Sequence, residues 1–131
     1  MLPHLLVPLR NRQIIEHVHP DPKRLADVLA HIGAEGCYVF SLDPISPTST
    51  AHARFFNPTV GIIEDAATGT AAGPSACLLT RHGVVKEDQT VVVEQGFQMG
   101  RPSLLRLNVK GDVAKLSGSG IQVIEGKIRV I

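Results

Sequence analysis

The stretch Gly61-Ile62-Ile63-Glu64-Asp65-Ala66-Ala67-Thr68-Gly69-Thr70-Ala71-Ala72-Gly73-Pro74-Ser75-Ala76-Cys77-Leu78-Leu79-Thr80-Arg81-His82-Gly83 decides how the chain is read. Its first half holds two carboxylates and a Gly/Thr turn. Its second half reads as a helix with small or apolar residues on nearly every face. A surface helix shows one apolar stripe, whereas a helix that is apolar all round is buried. Pro74 is expected in the first turn, where its missing N–H would have no intrahelical partner. Arg81 and His82 in the last turn, followed by Gly83, make a suitable C-terminus. The stretch therefore predicts a buried helix that presents its N-terminus, just after Asp65, at a polar turn.

Working outward, Leu5 to Leu9 and Gln13 to Val18 read as two short strands joined by a polar turn. Asp21 is an expected N-cap with Pro22 at the first helical position. Leu25, Val28, Leu29 and Ile32 then follow at i, i+3, i+4 and i+7, and Gly33 ends this amphipathic helix. Gly36 to Leu42 is rich in strand formers, and a Pro/Ser/Thr loop runs from Asp43 to Ser49. Ala51, Ala53 and Phe55 alternate with His52, Arg54 and Phe56, a strand with a mixed second face. Beyond the central helix, strands are expected at Thr90 to Glu94, Leu104 to Lys110, Asp112 to Leu116, Ile121 to Ile124 and Lys127 to Ile131. Short strands in close succession argue for an antiparallel meander. The whole is α+β: a mostly antiparallel sheet or open barrel wrapped around one central apolar helix, with one amphipathic helix outside.

At 131 residues the chain is expected to form a single domain. A net charge of +1, with Lys and Arg scattered, gives no field to attract nucleic acid or an anionic membrane. No apolar run approaches the roughly 20 residues that span a bilayer, and residues 1–9 lack the basic start of a signal peptide. Cys37 and Cys77 make no metal or redox spacing, so a cytoplasmic setting is expected.

The Thr68-Gly69-Thr70 turn is the best-founded site. Amides at a helix start are unpaired and carry partial positive charge, so they can hold a carboxylate. Glycine lets a ligand approach, and two hydroxyls add hydrogen bonds. The plainer reading is that Thr68 or Thr70 caps the helix. Glu64 and Asp65 are neighbours in extended chain, so their side chains point apart and do not form an acid/base pair. Because a helix N-terminus favours the charged carboxylate, Asp65 is expected to position or charge-balance a substrate, with proton shuttling second. Cys77, inside the apolar helix, reads as inert packing. His17 and His19 would share a strand face but lack a third metal ligand, so they read as exposed histidines. Glu94 and Arg101 suggest either an ion pair fixing a hairpin or a contact between lobes or subunits.

The same stretch carries a family resemblance. Gly61-Ile62-x-Glu64-Asp65-x-Ala67-Thr68-Gly69-Thr70-Ala71 resembles the G-I-x-E-D-P-A-T-G-S-A motif of the PhzF-like phenazine-biosynthesis isomerases. Phe55-Phe56-x-Pro58 before it and Glu94-Gln95-Gly96-x-x-Met99-Gly100-Arg101-Pro102-Ser103 after it match in order and spacing. The resemblance implies a diaminopimelate epimerase-like lobe, equivalent to the C-terminal one of two pseudo-symmetric lobes with the active site between them. It also implies proton transfer on a small carboxylated metabolite without cofactor or metal. On this resemblance Asp65 is an active-site residue, and Thr68, Gly69, Thr70 and Glu64 are substrate-binding candidates. Ala66 stands where the motif has Pro, and Thr70 where it has Ser. No residue matches the family's principal catalytic Glu, which belongs to the N-terminal lobe.

Two functions are expected to compete. One is a lobe of an isomerase, inactive without a complementary N-terminal lobe. The other is a non-catalytic binding module whose homodimer imitates the two-lobe arrangement.

Overall fold

The computed structural model describes residues 3–130. In order, the elements are β1 (His4–Pro8), α1 (Arg12–Glu16), α2 (Pro22–Ile32), β2 (Gly36–Ser41), β3 (Ala51–Asn57), β4 (Ile62–Asp65), α3 (Gly69–Arg81), β5 (Thr90–Gln95), β6 (Ser103–Lys110) and β7 (Val113–Ser117). Single 3-10 turns occupy Pro58–Val60 and Phe97–Met99.

The strands form one mixed sheet in the order β1-β2-β3-β5-β6-β7, with β4 also paired to β3. The β1/β2 and β3/β5 pairs are parallel and the remaining pairs antiparallel. Parallel neighbours need a long crossover. The α1–α2 segment supplies the first and α3 the second. They lie on opposite faces, as two separate cores show. Ile15 and Leu29 pack with Cys37, Val39 and Phe56 on one face. Ala71, Ala72, Ala76 and Leu79 pack with Tyr38, Phe40, Phe55, Val91, Val93 and Leu107 on the other. Residue alternation along β2 and β3 divides the side chains between these layers. Since α3 touches β6 and β7 near one end of the sheet and β1 at the other, the sheet curls into a half-barrel around it.

Several expectations require correction. Gln13 to Val18 is not a strand: α1 forms because the Asn11 side chain accepts from Ile14 N at 3.0 Å, capping a turn that buries Ile15. His17 therefore follows a helix, and His17 and His19 are exposed without sharing a strand face. The α3 helix starts earlier than expected, so Pro74 lies in its interior and leaves the Thr70 carbonyl without its usual helical donor. Nor is α3 buried all round. Ala71, Ala72, Ser75, Ala76 and Leu79 are buried, but Thr70 and Arg81 are exposed. The open side of the half-barrel leaves the intervening residues partly covered. Residues 118–130 form no regular structure, so the expected strands at Ile121 to Ile124 and Lys127 to Ile131 are absent there, Ile131 lying outside the described residues. By contrast, α2 runs from the Asp21 cap to Gly33, which takes the left-handed φ of 68° expected of a C-terminal glycine.

Both faces of β3 are buried, including its polar residues. Arg54 lies over the Phe56 ring at 5.0 Å and donates to the carbonyls of Ile15 and Val18 at 3.0 and 2.8 Å. His52 packs edge-on against Phe97, and its Nδ1 lies 3.3 Å from Glu94 Oε2. Glu94 does not pair with Arg101. Its carboxylate instead accepts from Ile45 N and Ser46 N, both at 2.7 Å, and so anchors the Asp43–Ser49 loop.

Burial pushes the Glu94 carboxyl toward protonation, but hydrogen bonds from the Ile45 and Ser46 amides and from the Ser49 and His52 side chains together outweigh it and hold the group below its usual value of 4.5. A carboxyl depressed in the folded state stabilises the fold above its unfolded value and loses that contribution as pH falls through the folded one. Glu94→Gln is therefore expected to lower stability by about 1–3 kcal/mol near neutrality. The same substitution should flatten the loss of stability below about pH 4.5 in urea unfolding measured across pH.

Candidate active site

The site arises from a split edge of β3. Along that edge β5 pairs with Ala51 to Ala53, and β4 pairs at Phe55 and Asn57. The two strands thus end nearly head to head, with Gln95 opposite Ala53 and Asp65 opposite Phe55. From Asp65 the chain turns into α3, and from Gln95 it turns into the Gly96–Arg101 hairpin.

Gln95, fully buried, ties these turns together. Its amide nitrogen donates to Asp65 O at 2.7 Å and to Thr68 Oγ1 at 2.9 Å, while its oxygen accepts from Thr68 N at 3.3 Å. Thr68 Oγ1 in turn donates to Asp65 Oδ2 at 2.6 Å. This relay fixes one carboxylate oxygen of the half-buried Asp65 beside the start of the helix. Gly96 allows the approach: its φ is +81°, and a Cβ there would lie 2.3 Å from Arg101 O and 2.8 Å from Ala66 O.

Thr68 does not cap α3 with its side chain; its carbonyl does the structural work, accepting from Ala71 N and Ala72 N at 3.2 and 3.0 Å. The Gly69 and Thr70 amides come before these and have no intrahelical acceptor. Both residues line a shallow cavity of about 370 Å³ with Gly73, Pro74, Asp112 and Ala114. A Leu116 methyl from β7 lies 2.5 Å from where a Gly69 Cβ would be, so glycine lets this side chain lie directly over the helix end. Since Leu116 is half exposed, its covering side chain borders solvent.

Among the residues singled out in the sequence, Asp65, Thr68, Gly69 and Thr70 come together. Glu64 does not join them. Both its oxygens accept from Arg54 at 2.8 Å, on the α1–α2 side of the sheet. The opposite directions expected for Glu64 and Asp65 are seen in these separate partners. Cys77 also lines the cavity and is partly covered. Burial raises the Cys37 thiol to about 11, which keeps it protonated. No group of three or more metal-ligating side chains occurs among the described residues, and no described helix is long and apolar enough to cross a membrane.

Two residues of the site escaped the sequence reading. Gln95 stood in the matched Glu94-Gln95-Gly96 segment but was given no role there. His4 carried no signal. It reaches the site from β1, with Nε2 at 3.2 Å from Thr70 Oγ1 across 66 residues of sequence.

The fold and site define an α+β half-barrel whose third helix begins at a carboxylate-bearing turn. The chain belongs to the phenazine biosynthesis-like (PhzC-PhzF) family, whose model matches residues 2–126. It is 35% identical over 130 residues to a trans-2,3-dihydro-3-hydroxyanthranilate isomerase of Pseudomonas fluorescens, covering 95% of this chain and 44% of that protein. It is 30% identical over 126 residues to an uncharacterized isomerase of Escherichia coli, covering 92% and 42%. The chain thus spans less than half the length of these relatives. A PhzF-family protein of Bacillus anthracis superimposes with a TM-score of 0.70 at 22% identity, covering 85% of this chain and 40% of that one. A protein of Pseudomonas aeruginosa described as a predicted epimerase gives 0.64 at 27%, covering 95% and 43%.

The packing at Gly96 gives a direct test. Gly83 also has a positive φ, 69°, but open space around it. Gly83→Ala should cost about 1–2 kcal/mol, the left-handed backbone strain alone. Gly96→Ala adds a backbone collision and should cost clearly more, as measured by chemical unfolding of both variants.

Proposed function

We propose that residues 1–131 act as the C-terminal half of a cofactor-independent isomerase that moves a proton on a small carboxylated metabolite. The observation that carries this reading is the start of α3, where the Gly69 and Thr70 amides have no intrahelical acceptor and follow directly on an Asp65 turn held by Thr68 and Gln95. Family membership and the relatives' isomerase names support it. In this proposal the Gly69 and Thr70 amides and the Thr70 hydroxyl hold substrate carboxylate, where the helix dipole favours negative charge. Thr68 keeps Asp65 oriented. With one oxygen bonded to Thr68, Asp65 turns the other toward the substrate, to position a polar substituent or to accept a proton. Glu64 stays on the other side of the sheet, where both its oxygens accept from Arg54. The principal acid/base comes from the complementary half, and metal and cofactor have no part in the reaction.

A second reading has its own support. Ile121, Val123, Ile124, Ile128 and Val130 are each more than 80% exposed, and apolar exposure on this scale marks a surface that another chain covers. On this reading the chain is a non-catalytic module that pairs with itself, bringing two α3 N-termini to one cleft.

One set of measurements separates these readings. The chain alone should show little or no isomerisation of trans-2,3-dihydro-3-hydroxyanthranilate. Mixing it with the separately produced N-terminal half of the P. fluorescens relative should restore turnover, and Asp65→Asn should reduce that turnover by at least about tenfold. Robust turnover by the chain alone would contradict the proposal. Sedimentation showing a monomer at high concentration would rule out the self-paired module.

A further inference from the structure

We infer that His4 is a positioning residue of this site: its Nε2–H donates to Thr70 Oγ1 and so turns the Thr70 hydroxyl proton outward, toward a bound carboxylate. The inference rests on the carboxylate-binding reading of the α3 N-terminus.

The ring is held by the sheet. His4 opens β1 in parallel register with Gly36 of β2. A Cβ at Gly36 would lie 3.3 Å from His4 Nδ1 and 2.3 Å from Phe55 Cζ, so the glycine makes room for both rings. His4 meets Phe55 edge-on, with centroids 5.1 Å apart and planes at 83°. With these contacts behind it, the imidazole presents Nε2 to Thr70 at 3.2 Å.

The other nitrogen settles which way the hydrogen bond runs. Nδ1 is buried and has no partner among the described residues. A neutral imidazole carries one N–H and one lone pair. A proton on Nδ1 would leave a buried N–H unpaired and would draw the Thr70 proton onto Nε2. A proton on Nε2 leaves only a lone pair unmatched, the milder defect, because orphaned buried N–H groups are rarer than under-satisfied acceptors. Burial also disfavours the imidazolium, outweighing the opposing pull of Glu35 and lowering the group from its usual value of 6.5. Neutral His4 with its proton on Nε2 therefore makes Thr70 Oγ1 an acceptor from behind. The Thr70 proton then remains available in front, on the side of the Gly69 and Thr70 amides. Without His4, the hydroxyl of the exposed Thr70 is free to turn its proton to solvent instead.

The test uses anthranilate as the carboxylate probe, with the complete chain, three single variants and one double variant. Long-range proton–nitrogen NMR of the His4 ring should show the Nε2–H form. His4→Phe should weaken anthranilate binding by about tenfold or more, the loss expected for a hydrogen bond to a charged group. His4→Gln, which can place an amide N–H toward Thr70, should recover a measurable part of it. Thr70→Val should weaken binding similarly, and combining it with His4→Phe should add little, since both remove one coupled interaction. An Nδ1–H ring, or wild-type affinity in His4→Phe, would overturn the role of His4 while leaving the carboxylate site standing. A wild-type chain that does not bind anthranilate would overturn the carboxylate reading, and this inference with it.

Discussion

The site depends on one buried amide. Gln95 spends both N–H bonds and its oxygen on the turn that links β4 to α3, and it is placed to do so because β4 and β5 share the edge of β3. A buried primary amide is costly unless its groups are paired, and here they are, so the arrangement tolerates little displacement. The consequence passes to Asp65 through Thr68. The carboxylate is oriented by a hydroxyl that is itself oriented by Gln95, and the helix start is set at a defined height beside it. Gly96 makes this possible by removing the atom that would hold the hairpin away from Ala66.

The rest of the molecule serves that geometry from two sides. On the α3 side, small residues at 71, 72 and 76 let the helix lie close against the sheet, which fixes the direction its amides point. On the other side, buried polar residues replace a simple apolar layer. Arg54 joins α1, the following segment and Glu64, and Glu94 joins the Asp43–Ser49 loop to His52. Such networks give less net stability than hydrophobic packing would, but each bond has a single satisfactory geometry. They hold β3, and with it the split edge, in place.

Much of this was legible in the sequence, and the gaps have physical causes. The cap, stripe and terminal glycine of α2 are local signals and were read correctly. The clustering of Asp65, Thr68 and Thr70 beside a helix start followed from a short contiguous motif, although the helix begins earlier than Pro74 suggested. Gln13 to Val18 failed because so short a run of apolar and polar chain fits either period, and only the Asn11 cap decides for a helix. Pro74 misled because a helix interior supported by packing tolerates a proline that an isolated one does not. The polar side chains buried on β3 and β5 look like a solvated face in sequence. His4 reaches Thr70 only through the β1/β2 pairing, a long-range contact with no local trace.

The central claim is that α3 aims unpaired amides at a carboxylate, and amide NMR reports on it residue by residue. Titrating the labelled chain with benzoate should shift the Gly69 and Thr70 amide signals in a saturable way, whereas benzyl alcohol, of similar shape but uncharged, should leave them in place. Unmoved Gly69 and Thr70 signals under benzoate, or equal shifts with the alcohol, would contradict the account.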